Sequence, residues 1–276
     1  MSKQTDNKTI NVGVIGAGGR MGRMLIEAVQ DNPKTILSAA IERQGSSLVG
    51  TDAGELAAIE RLNVQVVDDL MAVIKDIDVL IDFSLPDATE QNMQICAEHK
   101  VAMVIGTTGF NEQQEQVLTE ASKHTAIVYA GNYSTGVNLS LKLLEMAAKA
   151  FGNDADVEII EAHHKHKIDA PSGTAYMMAE AVAEARGQNL KEVAIYGREG
   201  QTGARKKGSI GLHAVRGGEI VGDHTVMFIA DGEVVEITHR ARARMTFAAG
   251  AVRAATWIIK QKKGQYNMQD VLGLSE

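Results

Sequence analysis

The sequence predicts an α/β protein with two parts: a parallel sheet wrapped by helices, and an α+β part on a mixed, mostly antiparallel sheet. In the first half, apolar runs of strand length alternate with helical patterns, which is typical of a parallel sheet. After residue 208 the runs are separated only by short glycine turns, which indicate hairpins. We place the first domain at 1–133 plus 244–276 and the second at 134–243, since 276 residues leave room for two modest domains.

The composition is that of an ordinary globular protein, with 45% hydrophobic and 23% charged residues. A net charge of −7 argues against a nucleic-acid partner and means that an acidic ligand needs a local basic site. The single cysteine, Cys96, rules out an internal disulfide and fits a reducing, cytoplasmic compartment. We expect no membrane span, because no apolar run approaches about 18 residues. Residues 1–8 are polar, so we expect them to be frayed and not a secretory signal.

A glycine turn follows the first predicted strand, Ile10 to Ile15. The run Gly16-Ala17-Gly18-Gly19-Arg20-Met21-Gly22 leads into a helical pattern over 24–30. Strand, glycine turn and helix together are the context of a Rossmann-type dinucleotide site, where backbone amides reach a pyrophosphate at the helix N-terminus. The match is imperfect, because Met21 holds the third motif position and the glycine comes one residue late. A tight turn without a ligand remains the alternative.

The second predicted strand, Thr35 to Ile41, ends in Glu42 and Arg43. An acidic residue about 20 positions after the glycines is where the adenosine ribose hydroxyls are recognised. Arg43 could instead bind a 2′-phosphate. The pair predicts weak discrimination between NADH and NADPH; an exposed ion pair is the alternative.

The rest of the first half continues the alternation after a polar loop, 44–61, that has room for one short helix. The predicted elements are strands at 79–83, 101–105 and 126–130 and helices at 86–99 and 111–123. Polar turns follow these strands at Ser84, at Gly106-Thr107-Thr108-Gly109 and at Gly131-Asn132-Tyr133-Ser134, along the carboxyl edge where such sheets bind ligands. Gly106 to Thr108 could line the nicotinamide ribose or could be simple turn residues.

The second half changes pattern. A helix over 138–151 carries a stripe that we interpret as core packing, namely Leu139, Leu143, Met146 and Ala147. A buried strand at 157–160, a helix at 175–186, strands at 210–216, 219–229 and 234–240 and a long helix at 245–260 follow. The pairs Gly217-Gly218 and Asp231-Gly232 are predicted hairpin turns. The final helix could return to the first domain.

The chain is organised around the stretch Glu161 to Ala175, with the sequence E-A-H-H-K-H-K-I-D-A-P-S-G-T-A. It places His163, His164, Lys165, His166 and Lys167 at a strand's exit, and three of the chain's eight histidines lie within four residues. Pro171 is predicted in the first turn of a helix whose free amides form an anion site. This combination can hold a small acid and move a proton.

The central stretch and one later loop keep other interpretations open. A basic run is often a solvated surface. A metal site on the three histidines is disfavoured, since adjacent residues of a strand point to opposite faces, and we expect no metal. The glycine-rich basic loop 196–208 could be a lid over an acidic substrate or a plain solvated loop.

With these motifs, the chain resembles the dihydrodipicolinate reductase family of lysine and diaminopimelate synthesis in bacteria and plants. The resemblance covers nearly the whole chain. It rests on V-G-V-I-G-A-G-G-R-M-G-R, D-F-S, V-I-G-T-T-G-F and above all on the stretch from Glu161 to Ala175. In this family the displaced glycine is normal.

The resemblance implies a role for each matching residue. Gly16, Ala17, Gly18, Gly19, Arg20 and Met21 would hold the pyrophosphate of NADPH or NADH, and Glu42 and Arg43 its adenosine ribose end. The residues implied at the nicotinamide end are Gly106, Thr107, Thr108, Ala130, Gly131, Asn132 and Tyr133. His163 would be the proton donor or acceptor and Lys167 the proton donor. His164, Gly173 and Thr174 would bind the substrate, a cyclic dicarboxylate.

The resemblance also implies a reaction and an assembly. Family members transfer a hydride to 4-hydroxy-tetrahydrodipicolinate and give tetrahydrodipicolinate, and they are commonly homotetramers assembled through the second domain's sheet. Two other functions stay open. Another two-domain reductase or dehydrogenase of amino-acid metabolism would share the first half but would not need the histidine and lysine run. A non-catalytic nucleotide sensor would not need His163 and Lys167.

Overall fold

The computed structural model describes residues 9–275, which form two compact units. The first unit comprises the described residues up to Ser134 together with those from Met245 onward, and the second comprises Thr135–Arg244. The expectation that residues 1–8 are frayed lies outside the described residues. Within 9–275, every helix is too short or too polar to cross a membrane.

The first unit is built on a seven-stranded sheet in which every pairing is parallel. Its strands are β1 (Ile10–Ile15), β2 (Thr35–Ile41), β3 (Val66–Val67), β4 (Val79–Asp82), β5 (Ala102–Ile105), β6 (Ala126–Tyr129) and β12 (Gly264–Tyr266). Their order across the sheet is β12-β6-β5-β4-β1-β2-β3. The prediction of a parallel α/β sheet is therefore confirmed.

Helices cover this sheet. They are α1 (Arg20–Asp31), α2 (Ala53–Leu56), α3 (Leu70–Val73), α4 (Pro86–His99), α5 (Glu112–Ser122), α9 (Met245–Ile258) and α10 (Met268–Leu272), with a 3₁₀ turn at Ile74–Asp76. The last long helix, α9, packs on α1 and on the sheet. Gly250 makes this possible, because a Cβ there would collide with the carbonyl of Tyr133.

The second unit is built on a five-stranded mixed sheet. Its strands are β7 (Asp156–His163), β8 (Ala194–Tyr196), β9 (Ile210–Arg216), β10 (Gly222–Ala230) and β11 (Glu233–Ala241), in the order β11-β10-β7-β9-β8. The pairings of β7 with β10 and of β10 with β11 are antiparallel, whereas those of β7 with β9 and of β8 with β9 are parallel. The sheet is mixed, as predicted, and its longest pairing, that of β10 with β11, is antiparallel.

The two predicted hairpins have different outcomes. The turn at Asp231-Gly232 joins β10 to β11 in an antiparallel pair, as predicted. The prediction at Gly217-Gly218 was wrong, because β9 and β10 each pair with β7, which lies between them. The two glycines therefore belong to a connection that passes the end of β7.

The helices of the second unit are α6 (Thr135–Phe151), α7 (Gly173–Ala185) and α8 (Leu190–Val193). The predicted core stripe on α6 was wrong, since Leu139, Leu143 and Met146 are 45%, 42% and 59% exposed. The buried face carries Leu144 and Ala148 instead. The helix has apolar residues on more than one face, and the pattern alone did not show which one is buried.

Candidate functional site

The glycine turn between β1 and α1 has the backbone geometry of a nucleotide-binding loop. Gly16 has a φ of +69°, a left-handed value that glycine adopts without strain. A Cβ on Gly22 would collide with the carbonyl oxygen of Gly16. The displaced glycine is therefore the residue that lets α1 lie against the turn.

The amides of this turn and those of the helix have different partners. Gly16 and Ala17 donate to the carbonyl that ends β2, at 2.8 and 3.1 Å, and Gly19 donates to Gly16 at 2.9 Å. The first amides of α1, at Arg20 and Met21, have no acceptor within the helix. Its N-cap makes no side-chain hydrogen bond and its first turn carries no acidic residue. An anion such as a pyrophosphate fits here and would be held chiefly by Arg20 and Met21.

Glu42 closes the other side of the turn. Its Oε1 accepts a hydrogen bond from the amide of Gly18 at 2.7 Å, and its Oε2 accepts one from the amide of Arg43 at 3.2 Å. A Cβ on Gly18 would lie 3.0 Å from the same Oε1. The carboxylate is thus brought to the glycine turn, as a ribose-binding residue must be, and the exposed Arg43 follows it.

A buried carboxylate, Asp82, ends β4 and is held by uncharged donors. Its oxygens accept hydrogen bonds from the amide of Ser84 at 3.0 Å, the hydroxyl of Ser84 at 2.6 Å and the side chain of Asn92 at 2.8 Å. Burial raises the pKa of Asp82, and these hydrogen bonds only partly offset that effect.

The segment after β5 uses its side chains to pack against this network. Thr107 is buried, and its hydroxyl accepts a hydrogen bond from the amide of Ser84 at 3.1 Å. A Cβ on Gly106 would overlap the ring of Phe83. Of the three residues of this segment that were predicted at the nicotinamide end, only Thr108 has an exposed side chain. The backbone of this segment is what it can offer a cofactor.

The turn after β6 is anchored in the same way. Tyr133 is 1% exposed, and its hydroxyl donates a hydrogen bond to the carbonyl of Ile105 at 2.8 Å. Burial raises its pKa well above the usual value. Ala130 donates its amide to the same carbonyl at 3.2 Å. Tyr133 is therefore a core residue by its side chain, and the accessible part of the turn is Gly131 and Asn132.

In the second unit, His163 ends β7 and lies on the same face as Glu161, two residues earlier. His163 Nδ1 is 2.6 Å from Glu161 Oε2, and the amide of Ser172 donates to Glu161 Oε1 at 3.0 Å. The Glu161 side chain is 1% exposed. Burial works to raise its pKa, but hydrogen bonds from Arg216 and His163 outweigh it, and the pKa lies below its usual value.

Arg216 lies opposite His163 in the parallel pairing of β7 with β9. Its Nη1 and Nη2 each donate to a different oxygen of Glu161 at 2.7 Å, which is a bidentate ion pair. Nη2 also donates to the carbonyl of Asp169 at 2.7 Å. One guanidinium therefore connects the end of β7 to the loop that follows it.

The helix α7 begins at Gly173 and Thr174, with Ser172 as its N-cap. Pro171 lies before the cap, after a cis peptide bond, so the prediction that it occupies the first helical turn was wrong. The first amides of this 13-residue helix can bind an anion. Gly173 and Thr174, which were predicted to bind the substrate, supply the first of these amides.

His224 is a buried neighbour of this helix start. Ser172 Oγ accepts a hydrogen bond from the amide of Ala175 at 3.1 Å and is 2.8 Å from His224 Nε2. Because a hydroxyl can donate one hydrogen bond and accept two, the contact with Nε2 is compatible with either neutral tautomer of His224. Burial, and then the nearby His163, lower the pKa of His224 to about 4. His224 is therefore uncharged at neutral pH.

Lys167, the predicted proton donor, pairs with Asp169 in the same loop. Its Nζ is 2.8 Å from Asp169 Oδ1, and its side chain is 20% exposed. This hydrogen bond lowers the pKa of Asp169. Because Arg216 holds the backbone of Asp169 and the side chain of Glu161, the loop of Lys167 is tied to the carboxylate that contacts His163.

His164 has a less satisfied environment. Its Nδ1 is buried and has no hydrogen-bond partner among the described residues. Its Nε2 is 3.4 Å from Arg244 Nη2. Burial and then the Arg244 charge lower the pKa of His164. A neutral histidine next to an exposed arginine suits a ligand that carries carboxylates.

The basic loop 197–208 is pinned to the sheet. Glu158 accepts hydrogen bonds from Arg198 at 2.8 and 2.9 Å, from Arg205 at 2.9 Å and from His213 at 2.7 Å. Burial works to raise the pKa of Glu158, but these partners lower it to about 2. The two arginines are therefore structural in this arrangement, while Lys206 and Lys207 are exposed. Within 9–275, no group of three or more His, Cys, Asp or Glu has a metal-site arrangement.

Several residues at these sites escaped the sequence analysis. Arg216, His224 and Arg244 come from distant parts of the chain, and no local pattern marks them. Glu161 stands two residues before His163, and the period of a strand puts both on one face. That spacing was a usable signal.

Comparisons with known proteins agree across the whole chain. The family model described as dihydrodipicolinate reductase, N-terminus, matches residues 10–133, and the one described as dihydrodipicolinate reductase, C-terminus, matches 136–272. The 4-hydroxy-tetrahydrodipicolinate reductase of Psychrobacter arcticus is 85% identical over 100% of this chain and 99% of its own length. That of Acinetobacter baumannii is 60% identical over 96% and 97%.

Solved structures share the fold. A dipicolinate-bound dihydrodipicolinate reductase from Paenisporosarcina sp. TG-14 is 26% identical, with a TM-score of 0.77 over 95% of this chain and 98% of its own. An amine dehydrogenase from Mycobacterium smegmatis, 14% identical, has a TM-score of 0.60 over 96% of both chains, which concerns the fold alone.

Proposed function

This chain belongs to the dihydrodipicolinate reductase family, and we propose that it reduces 4-hydroxy-tetrahydrodipicolinate to tetrahydrodipicolinate with NADPH or NADH. It is an oxidoreductase of lysine and diaminopimelate synthesis. The observation that carries the proposal is a histidine, His163, anchored on a buried carboxylate next to the N-terminus of an anion-binding helix. A proton-transfer group and a cradle for carboxylates are what reduction of a cyclic dicarboxylate requires.

The first unit holds the nicotinamide nucleotide. Arg20 and Met21 offer the free amides of α1 to the pyrophosphate, after the turn of Gly16, Ala17, Gly18 and Gly19. Glu42 and Arg43 bind the adenosine ribose end. The nicotinamide end is lined by Gly106, Thr107, Thr108, Ala130, Gly131, Asn132 and Tyr133, chiefly through their backbone. The bound cofactor supplies the hydride; the protein supplies binding and orientation.

The second unit binds the substrate. Two carboxylates need compensating charge and donors, which the amides of Gly173 and Thr174 and the side chain of His164 offer. The dipicolinate bound to the Paenisporosarcina relative is a ring with two carboxylates, which supports this assignment. Arg244, which lies 3.4 Å from His164, is a further candidate for the same ligand.

His163 and Lys167 move the proton that accompanies the hydride. Loss of the 4-hydroxyl as water leaves a carbon–carbon double bond, and reduction of that bond adds one hydride and one proton, so the site needs an acid. A positioned acid contributes about 10²- to 10⁴-fold in rate. We assign Lys167 as the donor and His163 as the group that donates or accepts a proton beside it.

We also propose a cytoplasmic homotetramer assembled through the sheet of the second unit. Exposed apolar side chains on this sheet support it, namely Ile160, Val215 and Val234, which are 38%, 49% and 53% exposed. The free, buried Cys96 is compatible with a reducing compartment. Light scattering of the purified protein tests the assembly, and a monomeric mass would contradict it.

The direct test follows the absorbance of NADPH and of NADH when 4-hydroxy-tetrahydrodipicolinate is added. We expect oxidation of both cofactors. With aspartate and the oxidised cofactors we expect no reduction, which separates this function from an amino-acid dehydrogenase. If neither cofactor is oxidised although both bind, the chain would be a nucleotide-binding protein without this chemistry.

A matched pair of variants connects the activity to the site. His163→Ala should lower kcat by about 100-fold, in line with the loss of a general acid or base. His166→Ala removes an exposed histidine three residues away and should leave kcat within about twofold. Equal effects of the two substitutions would remove His163 from its assigned role.

A further inference from the structure

Glu161 is a buried carboxylate to which the proposed reaction has given no role. Its side chain is 1% exposed and both oxygens are fully engaged. Oε2 contacts His163 Nδ1 at 2.6 Å and Arg216 Nη1 at 2.7 Å, and Oε1 accepts from Arg216 Nη2 at 2.7 Å and from the Ser172 amide at 3.0 Å. A carboxylate can be buried when charged donors compensate it in this way.

The contact at Nδ1 determines which nitrogen of His163 can exchange a proton. A carboxylate accepts but does not donate, so Nδ1 must carry a hydrogen and the neutral ring must have its lone pair on Nε2. No hydrogen bond to Nε2 exists within the described residues. Gly222 packs against this atom, because a Cβ at that position would lie 3.0 Å from Nε2. Nε2, which makes no hydrogen bond within the described residues, is therefore the nitrogen left to exchange a proton with a substrate.

Two groups next to His163, namely His224 and Arg216, do not change their protonation state near neutral pH. The ring of His224 lies edge-on to His163 with centroids 5.1 Å apart, and it stays neutral because burial lowers its pKa to about 4. Arg216 is a guanidinium that does not release its proton. The charges of His224 and Arg216 are therefore fixed at neutral pH.

We propose that Glu161 is a positioning residue that fixes His163 with Nε2 as the proton-exchanging atom, and that Arg216 holds Glu161 in the orientation this requires. The same carboxylate binds the Ser172 amide, so one side chain sets both the imidazole and the start of α7. In the reaction, Nε2 gives its proton to the substrate or takes one from it, while the Nδ1 hydrogen stays on the bond to Glu161. This inference rests on the proposed function.

The first test is the substitution Glu161→Gln, which keeps the shape and removes the charge. We expect kcat to fall about 100-fold, because an amide can present its N–H to Nδ1 and select the wrong tautomer. KM for the substrate and the Kd for NADPH should each change by less than about threefold. The interactions that bind the ground state and the transition state equally are retained.

The matched control is Glu158→Gln. Glu158 lies on the same strand and is also paired with arginines, Arg198 and Arg205, but it has no contact to His163. The substitution should leave kcat within about twofold, as expected for a site outside the reaction. If both glutamate substitutions lower kcat alike, the effect of Glu161 is structural and the proposal is overturned.

A double-mutant cycle tests whether Glu161 acts through the histidine. In a His163→Ala background, Glu161→Gln should lower kcat by no more than about a further twofold, because coupled residues are not additive. Losses that multiply would show an independent role and overturn the proposal. Wild-type protein that oxidises no cofactor would instead contradict the proposed function, which is a distinguishable result.

A spectroscopic measurement needs no variant at position 161. In ¹⁵N-histidine spectra of the wild-type protein at alkaline pH, the pair of signals that disappears in His163→Ala should show a protonated Nδ1 and an unprotonated Nε2. A protonated Nε2 in that neutral ring would overturn the proposal even if Glu161→Gln failed to fold.

Discussion

Asp82 in the first unit and Glu161 in the second are both buried carboxylates at or near the carboxyl end of a strand, and they are held in opposite ways. Asp82 is 0% exposed and is surrounded by hydroxyl and amide donors, and burial raises its pKa. Glu161 is clamped by the guanidinium of Arg216, and its pKa lies below the usual value.

The difference corresponds to what each unit has to do. Around Asp82, uncharged groups fix the segments after β4 and β5, whose backbone is then available to a cofactor. Around Glu161, charges of both signs are kept in place beside a group that exchanges protons. On the proposed function, the first unit would bind the cofactor with preorganised backbone, and the second would keep buried charge for proton transfer.

Lowering the pH should destabilise the second unit before the first, and this is the largest effect we expect. The pKa of Glu158 is about 2 in the folded protein and 4.5 ordinarily. Its stabilisation is therefore complete above pH 4.5 and is lost as the pH falls toward 2, a contribution of about 3 kcal/mol. Glu161, also lowered, acts in the same direction. Asp82, with a raised pKa, costs stability at neutral pH, and this cost disappears as the pH falls through its folded pKa.

Two optical probes can show which unit loses its structure first as the pH falls. The single tryptophan, Trp257, lies in α9 of the first unit, whereas far-ultraviolet circular dichroism reports on both units. We expect part of the dichroism to be lost at a higher pH than the change in Trp257 fluorescence. A fluorescence change that precedes the loss of dichroism would contradict the comparison.

Removing the cation from the Glu161 pair should cost nearly as much. Arg216→Met leaves a buried carboxylate with fewer donors, and we expect the free energy of unfolding to fall by about 2 to 3 kcal/mol. Arg240→Met is the control, because Arg240 is 67% exposed and lies 3.6 Å from Asp223. Such a surface pair contributes less than about 1 kcal/mol. Urea unfolding of both variants gives the values, and equal losses would mean that Arg216 behaves as a surface residue.

Glu42 tests how the first unit uses its accessible carboxylate. Glu42→Ala should raise the Kd for NADH about tenfold, since a charged acceptor for the ribose hydroxyls is lost. The Kd for NADPH should rise by less than about threefold. Its 2′-phosphate no longer faces the negative charge of Glu42, and Arg43 is still present. Glu42→Gln keeps an acceptor for the amide of Gly18 and controls for loosening of the turn. Equal losses for both cofactors, measured by titration calorimetry, would remove Glu42 from ribose recognition.

The smallest effect should come from Asp82→Asn. The carbonyl oxygen of the asparagine can still accept from Ser84, and its NH2 group can donate to Asn92 once the Asn92 amide turns over. No cation depends on the lost charge, so we expect the free energy of unfolding to change by less than about 1 kcal/mol at neutral pH. Denaturant unfolding measures this directly. A loss as large as that of Arg216→Met would mean that the two carboxylates are not held in different ways.

Much of the fold was predictable because its long elements have clear periodicity. The strands β1, β2 and β4 and the helices α4 and α5 lie within a few residues of the predicted positions. The short elements β3, α3, β8, β12 and α10 were missed, since two to five residues carry no period.

The errors lie where a local pattern cannot determine a distant pairing. Gly217-Gly218 has the composition of a hairpin turn, but the strands on either side of it, β9 and β10, both pair with β7 and not with each other. The stripe of Leu139, Leu143 and Met146 has the helical period, yet the face of α6 that is buried in the core is the one that carries Leu144. Tertiary packing decided both cases.

The candidate site shows the same division between local and distant information. The histidine and lysine run is contiguous along the chain, so its composition alone indicates the cluster from His163 to Lys167. The family resemblance then singles out His163 and Lys167. Arg216 lies 53 positions beyond His163 and reaches it only through the pairing of β7 with β9. Residues that hold a site in place are brought to it by the pairing of strands that lie far apart in the sequence. That pairing cannot be deduced from a single sequence.

The most direct test of the whole account is the rate of NADPH oxidation by Lys167→Ala, measured with the Kd for NADPH of the same protein. We expect kcat to fall about 100-fold or more while the Kd stays within about twofold, because the acid is lost and the nucleotide-binding unit is untouched. Lys165→Ala, an exposed lysine two residues earlier, should change neither value. A Lys167→Ala enzyme with near-normal kcat, or one that no longer binds NADPH, would contradict the division of labour between the two units.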